Sequence, residues 1–161
     1  MDEASIIDAI VEFEKALVTP NSKFDKYLLG NEDILSSDEK EGFTLFKDLG
    51  CISCHNGVNI GGNLFQKMGI VKEYKTSNNN LGRYNVTKEI SDKYYFKVPS
   101  LRNIEYTAPY LHDGSEYSLK NVIRIMLDYQ VGFDISNDEI KKIELFLKTL
   151  SGETPAIMND K

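Results

Sequence analysis

Tryptophan is missing from the 161 residues, and cysteine and histidine occur only twice each. Two cysteines make at most one pair, which is no disulfide framework, and Cys51, Cys54 and His55 make no four-ligand zinc site unless His112 joins them. No run of 18 apolar residues occurs, so no membrane span is expected. Basic charge is also short. Lys plus Arg number 19 against 25 Asp plus Glu, a net charge of −6, which argues against non-specific nucleic-acid binding. Four prolines and 11 glycines are too few and too scattered for a collagen-like or disordered chain. The opening Met-Asp-Glu-Ala-Ser has neither a basic n-region nor an apolar h-region. Either the protein is cytoplasmic or a leading segment has been removed.

What is present suits one globular domain with a real core, since a chain of this size buries roughly two thirds of its unfolded surface. Ile6, Ile10, Phe13 and Leu17 form one helical stripe over residues 4–17, closed by Pro20. A polar connector runs to residue 36, with Phe24, Tyr27 and Leu28 as its apolar cluster. Ser37 reads as the N-cap of a helix with Asp38, Glu39 and Glu41 in its first turn, Phe43, Leu45 and Phe46 as apolar surface, and Gly50 as its terminator. Residues 56–98 read as irregular, with Gly57, Gly61, Gly62, Gly69, Gly82 and Asn78-Asn79-Asn80. A loop this long is explained if it wraps a large ligand. Leu119, Val122, Ile123, Met126 and Leu127 predict a helix over 119–130. Ser136 caps the last helix, striped by Ile140, Ile143, Phe146, Leu147 and Leu150 and closed by Gly152.

The first and last helices echo each other. A shift of 133 positions superposes Ile7 on Ile140, Ile10 on Ile143, Phe13 on Phe146, Lys15 on Lys148 and Leu17 on Leu150, five identities over eleven positions. Two amphipathic helices share such a stripe by chance. The sharper reading is that residues 1–17 close an earlier, similar domain.

Both cysteines and one histidine fall in Cys51-Ile52-Ser53-Cys54-His55, the attachment sequence of a c-type haem. Positions i, i+3 and i+4 of a helical turn share a face, so two thioethers can hold the porphyrin edge while the imidazole reaches the iron. A redox dithiol would follow a strand, whereas a helix is expected here. The sixth iron ligand is open on chemistry alone. Met1 and Met158 lie on frayed ends, Met68 follows closely after His55, and Met126 comes after enough chain to circle the porphyrin. Met126 also sits on an apolar stripe, where Met is ordinarily core. His112 ranks nearly level with it.

The sequence resembles the carboxy-terminal half of the bacterial di-haem cytochrome c peroxidases. The matching stretches are Thr19 to Asp25, Gly42 to Gly57, Gly61-Gly62, Gly82-Arg83-Tyr84, Phe96 to Asn103, Thr107 to Ser115 and Phe146 to Leu150. The resemblance implies a mostly α, cytochrome c-like domain around one covalently bound haem c with His55 and Met126 as axial ligands. It implies one-electron transfer from a small redox protein, of cytochrome c or cupredoxin type, to a second haem domain where hydrogen peroxide is reduced. It also implies a periplasmic location, calcium bound partly by backbone carbonyls of Thr107 and Pro109, and Arg102 at a haem propionate; an ordinary ion pair is the alternative for Arg102. No catalytic residue is expected here. Residues 1–36 are read as the leading helix and connector, 37–152 as the haem domain and 153–161 as a tail; a homodimer is the other arrangement considered.

The departures matter too. The chain has a single Cys-x-x-Cys-His and no tryptophan, whereas the family has one between its two haems. The other reading is therefore a free-standing mono-haem carrier without peroxidase activity. An upstream frame with a second Cys-x-x-Cys-His separates the two. A haem sensor or minor peroxidase would need an open iron position, seen as carbon monoxide binding.

Overall fold

The computed structural model describes residues 2–75 and 80–158. Met1, Asn78, Asn79 and the end of the tail, 159–161, lie outside them. Six α-helices among the described residues are α1 (Glu3–Ala16), α2 (Lys23–Leu28), α3 (Ser37–Asp48), α4 (Tyr84–Thr87), α5 (Leu119–Met126) and α6 (Asn137–Lys148). Two short antiparallel strands, β1 (Phe65–Lys67) and β2 (Tyr95–Lys97), pair Phe65 with Lys97 and Lys67 with Tyr95. The fold is mostly α. No helix among the described residues is long and apolar enough to cross a membrane.

Helix starts follow local chemistry. Ser136 accepts from Glu139 N–H while the Glu139 carboxylate accepts from the Ser136 N–H, a reciprocal cap. The α3 cap is Ser36 rather than Ser37, because Ser36 is the serine with a glutamate, Glu39, three positions on. A third reciprocal cap, Ser22 with Asp25, starts α2 inside the expected connector. That short helix buries Phe24, and the 3-10 turn Glu32–Ile34 leads to buried Leu35. Residues 23–35 thus belong to the body of the domain, although they read as part of the leading segment.

The core lies where α3 crosses α6. Phe146 is its centre, with the rings of Phe24, Phe43 and Phe46 at 5.1, 5.2 and 5.2 Å. The close approach depends on Gly42, since a Cβ there would stand 2.0 Å from the Lys142 carbonyl oxygen. Lys142 also binds Glu41 at 2.7 Å across the seam. Ile123 and Leu127 join the same cluster. The expected helix 119–130 changes character midway: α5 stops at Met126 and Leu127–Val131 form a π-turn ended by Gly132.

Candidate haem site

Leu49 ends α3, Gly50 turns the chain at φ 81°, and Cys51–Ser53 form a 3-10 turn. The His55 N–H donates to the Cys51 carbonyl at 3.0 Å, which places Cys51, Cys54 and His55 on one turn, as the spacing predicts. Both thiols are free and half-buried. Burial pushes the Cys51 thiol up to about 11. Gln66 of β1 donates to Cys54 Sγ at 3.7 Å.

The turn is framed from below. Asn56 Nδ2 donates to the carbonyls of Ile52 and Ser53, and Asn63 donates to the Asn56 carbonyl. Gly61, at φ 130°, passes so close beneath Pro99 that a Cβ would meet the Pro99 oxygen at 2.0 Å and His55 Nδ1 at 3.3 Å. His55 Nδ1 is buried without a hydrogen-bond partner. Burial holds the imidazole below its ordinary pKa, and the nearby Ile60 and Pro99 carbonyls oppose that only in part. Burial thus favours the neutral ring, the state a metal requires, and with Nδ1 turned to the backbone Nε2 is the nitrogen left for ligation.

These residues fit a covalently held haem. Two free thiols and an imidazole whose Nδ1 is buried and unpartnered share one turn. Met126, at the end of α5, is half-buried and stands outside the hydrophobic core cluster, unlike its neighbours Ile123 and Leu127. His112 is exposed, packs on Phe96 at 4.4 Å and accepts from Asn80 Nδ2 at 2.7 Å. Met68 is half-buried after β1, and Met158 is exposed.

Arg102 makes an ion pair with Asp25. Its guanidinium grips Asp25 with two contacts at 2.8 Å and donates to Ser22 Oγ and the Val58 carbonyl. Burial raises Asp25, but Arg102 and Ser22 outweigh it and hold the carboxyl below its ordinary range. Thr107 and Pro109 are exposed, flanking Ala108. Among the described residues, no group of three or more His, Cys, Asp or Glu could hold a metal ion. Sequence reasoning missed Gln66 and the Pro99 carbonyl, which act across the fold; only Gly61-Gly62 hinted at the close passage.

Fold and site define a mostly α, cytochrome c-like haem domain. No protein-family model matches the chain. The chain is 49% identical over 150 residues to the cytochrome c551 peroxidase of Nitrosomonas europaea, covering 93% of this chain and 45% of that protein. It is 44% identical over 160 residues to the cytochrome c peroxidase Ccp of Escherichia coli, covering 98% and 34%. A solved MauG-like protein associated with microbial copper homeostasis superposes with a TM-score of 0.82 at 28% identity, over 95% of this chain and 58% of that one. The chain belongs to the bacterial cytochrome c peroxidase family and spans half or less of the length of the curated relatives it matches.

Proposed function

We propose that this domain performs one-electron transfer through a single haem c, linked through Cys51 and Cys54 and ligated by His55 and Met126. It is the electron-accepting half of a two-haem peroxidase whose other half reduces hydrogen peroxide. The observation that carries this reading is the Cys51–His55 turn, with two free thiols and an imidazole whose Nδ1 is buried and unpartnered.

When bound, the haem would supply a one-electron couple, and a thioether ligand from Met126 with the His55 imidazole would favour its reduced state. The chain's contribution is to hold and shield. Cys51 and Cys54 anchor one edge. The Gly61–Pro99 crossing leaves room for the buried His55 ring, since a Cβ on Gly61 would crowd its Nδ1 at 3.3 Å. Met126 would offer a neutral, soft sulfur to the iron, and no catalytic residue is assigned.

The exposed stripe of α1 supports a preceding module of the same kind, because the matching stripe of α6 is one that packs on a helix like α3. A free-standing mono-haem carrier would leave that stripe in water. Thr107 and Pro109 carbonyls are the proposed calcium ligands, completed by a contribution from outside this chain. The donor is a small redox protein, and covalent haem attachment implies the periplasm.

The test is near-infrared absorption of the ferric protein, which reports a thioether on iron. The band is expected in the haem-loaded protein and absent in Met126→Ala, with a lowered reduction potential. A Met126→Ala protein with unchanged spectrum and potential refutes Met126 as ligand.

A further inference from the structure

The π-turn that follows Met126 is pinned to the loop leaving β1. The Gln130 side-chain oxygen accepts from Gly69 N–H at 2.8 Å and Ile70 N–H at 3.0 Å, and its Nε2 donates to the Lys67 carbonyl at 3.0 Å. Only this amide orientation serves all three groups, because the flipped one would set two donors against two donors. One position further on, Val71 N–H donates to the Tyr129 carbonyl at 3.0 Å. The Tyr129 ring then meets Tyr74 edge-on at 5.0 Å and carries the Lys72 ammonium 5.1 Å from its centre. Val71 packs on Gly132, where the turn closes through Gly132 N–H to the Leu127 carbonyl at 2.6 Å.

Two features make this more than loop anchoring. π-turns are intrinsically less favourable than α-turns and persist where something holds them; here the holding groups come from residues 67–71. The latch also lands beside the haem-attachment turn. Lys67, which accepts from Gln130, directly follows Gln66, which donates to Cys54 Sγ. Met126 is the last residue of α5, and Gln130 lies in the π-turn that continues it. A single side chain thus ties the helix end bearing Met126 to the strand touching the attachment cysteine.

We propose that Gln130 is a positioning residue for Met126, keeping the thioether in place by latching the π-turn to residues 67–70. The inference rests on the reading of Met126 as axial ligand. A thioether is a weak iron ligand, so its retention depends on how firmly the chain presents it. Loosening the latch raises the fraction of molecules with the sulfur detached.

That fraction is measurable by competition. Imidazole added to the ferric, haem-loaded protein binds with an apparent affinity equal to its intrinsic affinity scaled by the detached fraction. Gln130→Ala is expected to bind imidazole about tenfold more tightly than the wild type, with the near-infrared thioether band lost at correspondingly lower imidazole. Gln130→Glu keeps an acceptor for Gly69 and Ile70 but loses the donor to Lys67, and is expected to fall between the two. Ile143→Val, a one-methyl core change in α6 that removes none of the latch hydrogen bonds, lowers overall stability and is expected to leave imidazole affinity unchanged. Wild-type affinity in either Gln130 variant overturns the role of Gln130, as does an equal shift in Ile143→Val. These results leave Met126 as ligand intact. A wild-type protein without the thioether band overturns both readings together.

Discussion

Helices α1 and α6 carry the same stripe and meet opposite fates. Ile7, Ile10, Phe13 and Leu17 are 52%, 53%, 50% and 37% exposed, while their counterparts Ile140, Ile143, Phe146 and Leu150 are 4%, 2%, 1% and 0% exposed. Both helices are well started, by Asp2 and by Ser136. Local chemistry therefore makes both helices, and only tertiary contact distinguishes them. α6 has Gly42 of α3 to let it approach and three phenylalanines around Phe146. No residue of α1 is buried. α1 thus leaves a contiguous apolar stripe exposed.

The largest test of this contrast is Phe146→Ala, expected to cost about 3–5 kcal/mol in urea unfolding of the haem-loaded protein. A loss under about 1 kcal/mol would mean that α6 is not the centre of the core. Gly42→Ala sharpens the same point. Its methyl would meet the Lys142 carbonyl, so separation of α3 from α6 is expected to cost about 1–3 kcal/mol, seen as a lower melting temperature. An unchanged melting temperature would contradict the close crossing.

Asp25→Asn probes the boundary between the two regions, since Asp25–Arg102 fastens α2 to the loop below the attachment turn. The expected loss is about 1–2 kcal/mol at neutral pH. The Asp25 carboxyl is held below its ordinary value in the fold. Its stabilisation is therefore complete above the unfolded value, about pH 4, and is lost as pH falls through the depressed one. Asp25→Asn should flatten that acid limb of the stability profile; an identical limb would deny the pair its role. The smallest effect is expected of Phe13→Ala, within about 0.5 kcal/mol. A cost matching that of Phe146→Ala would show α1 packed in solution and end the comparison.

Much of the fold was legible because caps and stripes are local. The α6 cap, Gly50 and the apolar faces of α3 and α6 follow from residues within a few positions of one another. Ser22 and Asp25 carried the same capping signal, but the polar connector around them hid α2. Cys51, Cys54 and His55 were legible for the same local reason. Gln66, Pro99 and Gln130 were not, because each acts on backbone or sulfur brought close only by the fold. Arg102 stood out in the sequence, but its partner Asp25 lies 77 residues away. The π-turn after Met126 leaves no periodic trace, since its holding groups come from the loop at 67–71. The fate of α1 was undecidable from its stripe, which is shared with α6.

The account turns on covalent attachment at the Cys51–His55 turn. Intact mass of the denatured protein, expressed with haem-attachment machinery, tests it most directly. The polypeptide is expected to carry the added mass of one haem and to lose it when both cysteines are replaced by alanine. A denatured chain weighing only its amino acids would contradict it.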